Sequence, residues 1–97
     1  MQYFVKDNKC FRSVIRGTVK VDSVAAGATE LVTLKFDEEL SADSVCVVTA
    51  QDYPLQPEVL AVGNAAPGAE YKGYVLVNVT NPSGTGVSNV NLNFIIL

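Results

Sequence analysis

The chain has no histidine and no tryptophan, one methionine and two cysteines in 97 residues. Without histidine, Ser-His-Asp and Cys-His nucleophilic arrangements in their usual forms are excluded. The commonest zinc ligand is missing too, and Cys10 and Cys46 match no metal or redox spacing. Charge is also scarce, at 18% of residues against 48% apolar. No apolar run approaches the roughly 18 residues of a membrane-spanning helix. The opening Met1-Gln2-Tyr3-Phe4-Val5-Lys6 lacks the uninterrupted apolar core of a secretory signal. The expectation is an unsecreted chain without a membrane segment, without a cofactor and without enzymatic activity.

Helical periodicity is missing as well. No stretch of ten or more residues repeats its apolar positions at 3.6. What is present is alternation at period two, the mark of half-buried strands. Val19 and Val21 alternate with polar residues in Gly17 to Val24, and Val32, Leu34 and Phe36 do so in Thr29 to Phe36. Ala25-Ala26-Gly27-Ala28 joins the two runs, so the pair reads as a hairpin. Ser44 to Ala50 is apolar on both faces, which predicts a central strand or one covered on its second side by another sheet or subunit. Gln51 to Gly68 carries Pro54, Pro57 and Pro67 and reads as loop, with at most a short strand at Val59 to Val62. Tyr71 to Thr80 sets Val75, Val77 and Val79 on one face and Tyr74 and Leu76 on the other. Asn81 to Gly86 is a turn cluster. In Ser88 to Leu97, Val90, Leu92, Phe94 and Ile96 oppose Asn89, Asn91 and Asn93.

About six to eight short strands punctuated by Gly, Pro and Asn predict an all-β, antiparallel β-sandwich, jelly-roll-like or Ig-like. Charge divides the chain in two. Residues 1–16 hold Lys6, Lys9, Arg12 and Arg16 against Asp7, and residues 17–97 hold three lysines against nine acids. The reading is a basic arm or first strand over 1–16 and a sandwich domain over 17–97. An acidic body argues against a nucleic-acid partner, which needs a basic stripe. An apolar, charge-poor chain of this size also suggests surface covered by a partner.

The residues carry a resemblance. Val21-Asp22-Ser23-Val24-Ala25-Ala26-Gly27-Ala28-Thr29-Glu30-Leu31-Val32-Thr33-Leu34 is similar to the opening of small β-sandwich domains in tailed-bacteriophage virion proteins. Ala42-Asp43-Ser44-Val45-Cys46-Val47-Val48, Tyr53-Pro54-Leu55-Gln56-Pro57, Val75 through Gly84 and Val90 to Ile96 follow in the same order as in those domains. The basic arm is not part of the pattern, and Tyr71 or Tyr74 stands in for the usual aromatic after the proline loop. The resemblance implies a virion protein made in the host cytoplasm: a capsid decoration protein, a head fibre or a tail-fibre tip, commonly trimeric. The arm's charge suggests docking onto an acidic surface, so on a virion Tyr3, Phe4, Lys6, Lys9, Phe11, Arg12 and Arg16 are expected to anchor to the major capsid protein or another virion protein. Val45, Val47, Phe94, Ile95, Ile96 and Leu97 are expected at the contact between copies of the chain.

Other constellations are weaker. Asp37, Glu38, Glu39 and Asp43 read as a solvated turn, with a calcium site as the sharper alternative. Tyr53, Tyr71 and Tyr74 with Asn89, Asn91 and Asn93 suggest a patch for a host glycan, the basis of a receptor-binding alternative. Asn78-Val79-Thr80 has the form of a glycosylation sequon, and Gly84-Thr85-Gly86 has neither the lysine nor the helix of a phosphate loop. A Cys10–Cys46 disulfide stays open.

Overall fold

The computed structural model describes residues 1–5, 9–11 (backbone only), 14–41, 43–51 and 54–97. These residues contain eight strands: β1 Gln2–Phe4, β2 Lys9–Phe11, β3 Val14–Val24, β4 Thr29–Phe36, β5 Cys46–Ala50, β6 Gln56–Asn64, β7 Gly73–Thr80 and β8 Val87–Ile96. They form two four-stranded sheets, ordered β1-β4-β7-β6 and β2-β3-β8-β5. Alternation decides which side chains meet between them. Val32, Leu34, Phe36, Val75, Val77 and Val79 of the first sheet face Val19, Val21, Val90, Leu92, Phe94 and Ile96 of the second. Phe36 and Phe94 meet edge to face across this interior, with ring centroids 5.3 Å apart.

The chain is an all-β sandwich, as expected, and its winding is that of a jelly roll. First and last long strands lie side by side, β3 against β8. β7 sits between β4 and β6, and β8 between β3 and β5. All pairings are antiparallel except β1 with β4, which is parallel.

Three expectations are corrected. Gly17 to Phe36 is not a hairpin, because β3 and β4 belong to different sheets. Ala25 to Ala28 is a corner between layers, a four-residue turn closed by Ala28 N–H to Ala25 C=O at 3.1 Å. Gly27 takes φ +71° at its third position, where a type II turn needs positive φ. Secondly, Gln51 to Gly68 is not mainly loop, since β6 spans nine residues of it. Pro57 is tolerated because β6 is an edge strand with one row of backbone groups free of the ladder. A bulge between Val59 and Ala61 blurs the alternation that would have revealed the strand. Thirdly, β5 is an edge strand, which removes the central position and leaves the other reading of its apolar run, a second side covered by another sheet or subunit.

The division at residue 16 falls inside β3, whose Ile15 is part of the core. β1 and β2 are each an edge strand of their sheet, and the opposite edges, β5 and β6, lie close to one another. Tyr3, on β1, ties the layers together. It packs against the core, and its Oη accepts a hydrogen bond from Asp22 N–H at 3.0 Å. Opposite Asp22, Asn89 adopts φ +56°, a left-handed conformation that Asn tolerates better than most residues. Here the period-two pattern slips, so that Val21 and Val24 are both buried.

Candidate functional site

The corner end of the sandwich is held by one buried amide. Asn81 is fully buried, and its Nδ2 donates to Val24 C=O at 3.1 Å and to Thr85 C=O at 2.9 Å. Its Oδ1 accepts from Ser83 N–H at 3.1 Å and Ser83 Oγ at 2.7 Å. Its backbone extends the β4·β7 ladder to Gly27 and Ala28. Every hydrogen-bonding group of that side chain is therefore engaged within the fold. Composition marks 81–86 only as a turn, so the role of Asn81 was not readable there.

At the opposite end, Leu40 plugs the gap between the sheets. Asn64 holds it as a strand partner would, accepting from Leu40 N–H and donating to Leu40 C=O, both at 2.7 Å. Glu38, Glu39 and Asp43 rim an open cleft of about 430 Å³ floored by Ile15, Leu40 and Ile96. Among the described residues, no three of Cys, Asp and Glu converge as metal ligands.

Of the residues expected to anchor the chain, the three with described side chains, Tyr3, Phe4 and Arg16, do not share one surface. Tyr3 is turned inward. Phe4 lies on the outer face of the β1-β4-β7-β6 sheet, edge to face with Tyr71 at 6.4 Å, with Lys35 Nζ 5.3 Å from its ring and 4.9 Å from that of Tyr71. Arg16 is exposed on the outer face of the other sheet, opposite Ile95 in the ladder. Lys6 and Arg12 lie outside the described residues. Lys9 and Phe11 pair through their backbones with Arg16 and Val14.

Among the described residues the glycan patch is not assembled. Tyr74 lies over Gly63 and Tyr71 beside Lys35, on one outer face. Asn91 and Asn93 are on the other, where Asn93 accepts from Thr18 Oγ1 at 2.8 Å. Tyr53 lies outside the described residues.

The expected contact between copies is partly gathered and partly corrected. Phe94 and Ile96 are 4% and 2% exposed and belong to the core, so they offer no surface. Their neighbours point outward. Val45, Val47 and Leu97 are 56%, 48% and 59% exposed. Val47 pairs with Ile95, and Val45 pairs with Leu97 through two backbone hydrogen bonds of 3.2 and 2.8 Å. Four apolar side chains thus form one patch on β5 and the end of β8, bordered by Arg16 and Thr49. A second group on the other sheet, Leu31 and Leu60 with Leu76 between them, was missed because Leu60 sits on the bulge of an unrecognised strand.

Cys46 is a free thiol facing the sandwich interior from β5. Partial burial pushes its pKa up to about 11. Cys10 pairs with Ile15, Ile15 with Ile96, and Ile96 with Cys46, so the two cysteine backbones lie three strands apart. That is about 14 Å, twice the reach of a disulfide. Cys46 in a Cys10→Ser variant should react with a thiol reagent at pH 8 at least about tenfold slower than in urea, since only the thiolate attacks. The raised value also means that ionising Cys46 opposes folding. Its contribution to stability is whole below pH 9 and is lost as pH rises from about 9 to about 11. A denaturation series across that range, compared with Cys46→Ala, would show it.

No family model matches the chain, and no curated protein or solved structure matches it either.

Proposed function

We propose that this chain is a non-enzymatic structural subunit of a tailed-phage virion, of the capsid-decoration or head-fibre kind, which attaches to the major capsid protein and associates with copies of itself. The ordered motif set from Val21 to Ile96 supports the virion assignment. The observation that carries the adhesive mechanism is the patch of Val45, Val47, Ile95 and Leu97. These side chains lie outside the core and leave apolar area in water, worth roughly 25 cal/mol per Å² once covered.

Removing residues 1–16 would be a poor test, because it takes away β1, β2 and the core residue Ile15. Outward-facing substitutions are better. Val47→Ser with Ile95→Ser should change stability by no more than about 1 kcal/mol, as expected for surface positions. The same pair should weaken self-association at least about tenfold, measured by sedimentation equilibrium. Attachment is checked by adding the protein to capsids lacking it and measuring co-sedimentation. No binding to the particle at micromolar protein would overturn the virion reading.

A further inference from the structure

The sandwich has four strand edges, and three of them are blunted. β1 and β2 are three residues long, and β6 carries Pro57 and a bulge at Leu60. Such features are how sheets discourage pairing with other chains. β5 has none of them. Residues 45–51, Val-Cys-Val-Val-Thr-Ala-Gln, contain no proline, no glycine and no charge.

The register shows which of its backbone groups are free. Val45 exchanges both hydrogen bonds with Leu97, and Gln51 N–H donates to Asn91 C=O. In an antiparallel ladder the bonded residues alternate, so Val45, Val47 and Thr49 point their N–H and C=O groups at β8. Cys46, Val48 and Ala50 therefore point theirs outward. Among the described residues these groups make no other hydrogen bond.

We infer that the β5 edge pairs antiparallel with the β5 edge of a second copy, about a two-fold axis through Val48. In that register Cys46 faces Ala50 of the second copy and Val48 faces Val48. The three pairs are all of the bonded kind, which makes about six new backbone hydrogen bonds. On the outer face Val47 comes opposite Thr49, a cross-strand pair of two β-branched side chains. No charged residue meets another across the seam. The two outer apolar patches then lie in one continuous eight-stranded sheet. The inference rests on the self-association part of the reading above and replaces the threefold arrangement at this edge by a twofold one.

Val48→Pro tests it. The substitution removes an N–H that β8 does not use, so the intramolecular ladder is kept and the seam loses a donor from each copy. Dimer association should weaken by about 100-fold or more, with the far-ultraviolet circular dichroism unchanged. Amide exchange on the unsubstituted chain supplies a second measurement, independent of whether the variant folds. Cys46, Val48 and Ala50 should exchange fast in dilute protein and slowly at high concentration, while Val45, Val47 and Thr49 are slow in both. An oligomer that survives Val48→Pro, or whose Cys46, Val48 and Ala50 amides stay fast, would overturn the edge pairing and leave association through the apolar face standing. A chain that is monomeric at high concentration yet decorates capsids would overturn the pairing alone. A dimer with the expected exchange pattern that ignores capsids would support the pairing and overturn the virion reading.

Discussion

Asn81→Ala is expected to cost about 3 kcal/mol, because it strands the Val24 carbonyl in the interior and strips Thr85 C=O and Ser83 of their shared partner. For a domain of this size that is a fall in Tm of roughly 12–24 °C, readable by calorimetry. Asn81→Asp separates hydrogen bonding from shape. It keeps the volume but turns a donor that faces two carbonyls into an acceptor. At neutral pH it should be at least as damaging as alanine. A protonated carboxyl regains one donor, so the folded state favours the acid and the pKa of the new group rises above the ordinary carboxylate range. The deficit against the parent protein should then shrink as pH falls toward 4 and be largest at neutral pH. An Asn81→Asp variant with no deficit at any pH would mean that Asn81 acts by volume alone. The damage should concentrate at the corner, since the same residue bonds Gly27 and Ala28 through its backbone.

Gly73→Ala is the second large effect. A Cβ at Gly73 would sit 2.6 Å from Glu38 C=O and 2.6 Å from Leu40 Cγ. Neither neighbour can move cheaply: one is backbone, and the other is a core residue held at both backbone groups by Asn64. The expected cost is about 3 kcal/mol, at the upper end for overpacking. Gly63→Ala makes the internal comparison. Its Cβ would also meet atoms too closely, Tyr74 Oη at 2.7 Å and Cζ at 2.8 Å, but these end a side chain that can swing into solvent. That change should cost about 1 kcal/mol or less. Equal Tm shifts for the two glycines would count against this account of the Leu40 plug.

The contrast shows where the sequence was readable. Tyr74 over Gly63 and Leu40 over Gly73 are contacts between residues far apart in the chain or on neighbouring strands, and no local pattern marks either glycine. The inward set was readable because alternation is a property of each strand alone: Val75, Val77 and Val79, and Val90, Leu92, Phe94 and Ile96, are buried as their spacing requires. The same pattern turns Phe94 and Ile96 into the core, away from any contact between copies. Neighbours on a strand face opposite ways, so Ile95 and Leu97 lie outside while Phe94 and Ile96 lie within. β6 was unreadable for the converse reason. Prolines and a bulge are tolerated on an edge strand, and edge position depends on the whole sheet.

Composition and alternation by themselves determined that this chain is all-β, which side chains alternate along its long strands, and that histidine-based catalysis is excluded. These are consequences of residue types and of the two-residue repeat of an extended backbone. Only the tertiary structure decided that Ala25 to Ala28 turns between sheets rather than within one. A four-residue turn serves either purpose, and the choice is made by β7 and β8 pairing with β4 and β3 from the far end of the chain. The same long-range pairing put β5 at an edge with Val45 and Val47 in solvent. The apolar run of β5, which reads as a central strand or as one covered on its second side by another sheet or subunit, therefore lies at a sheet edge.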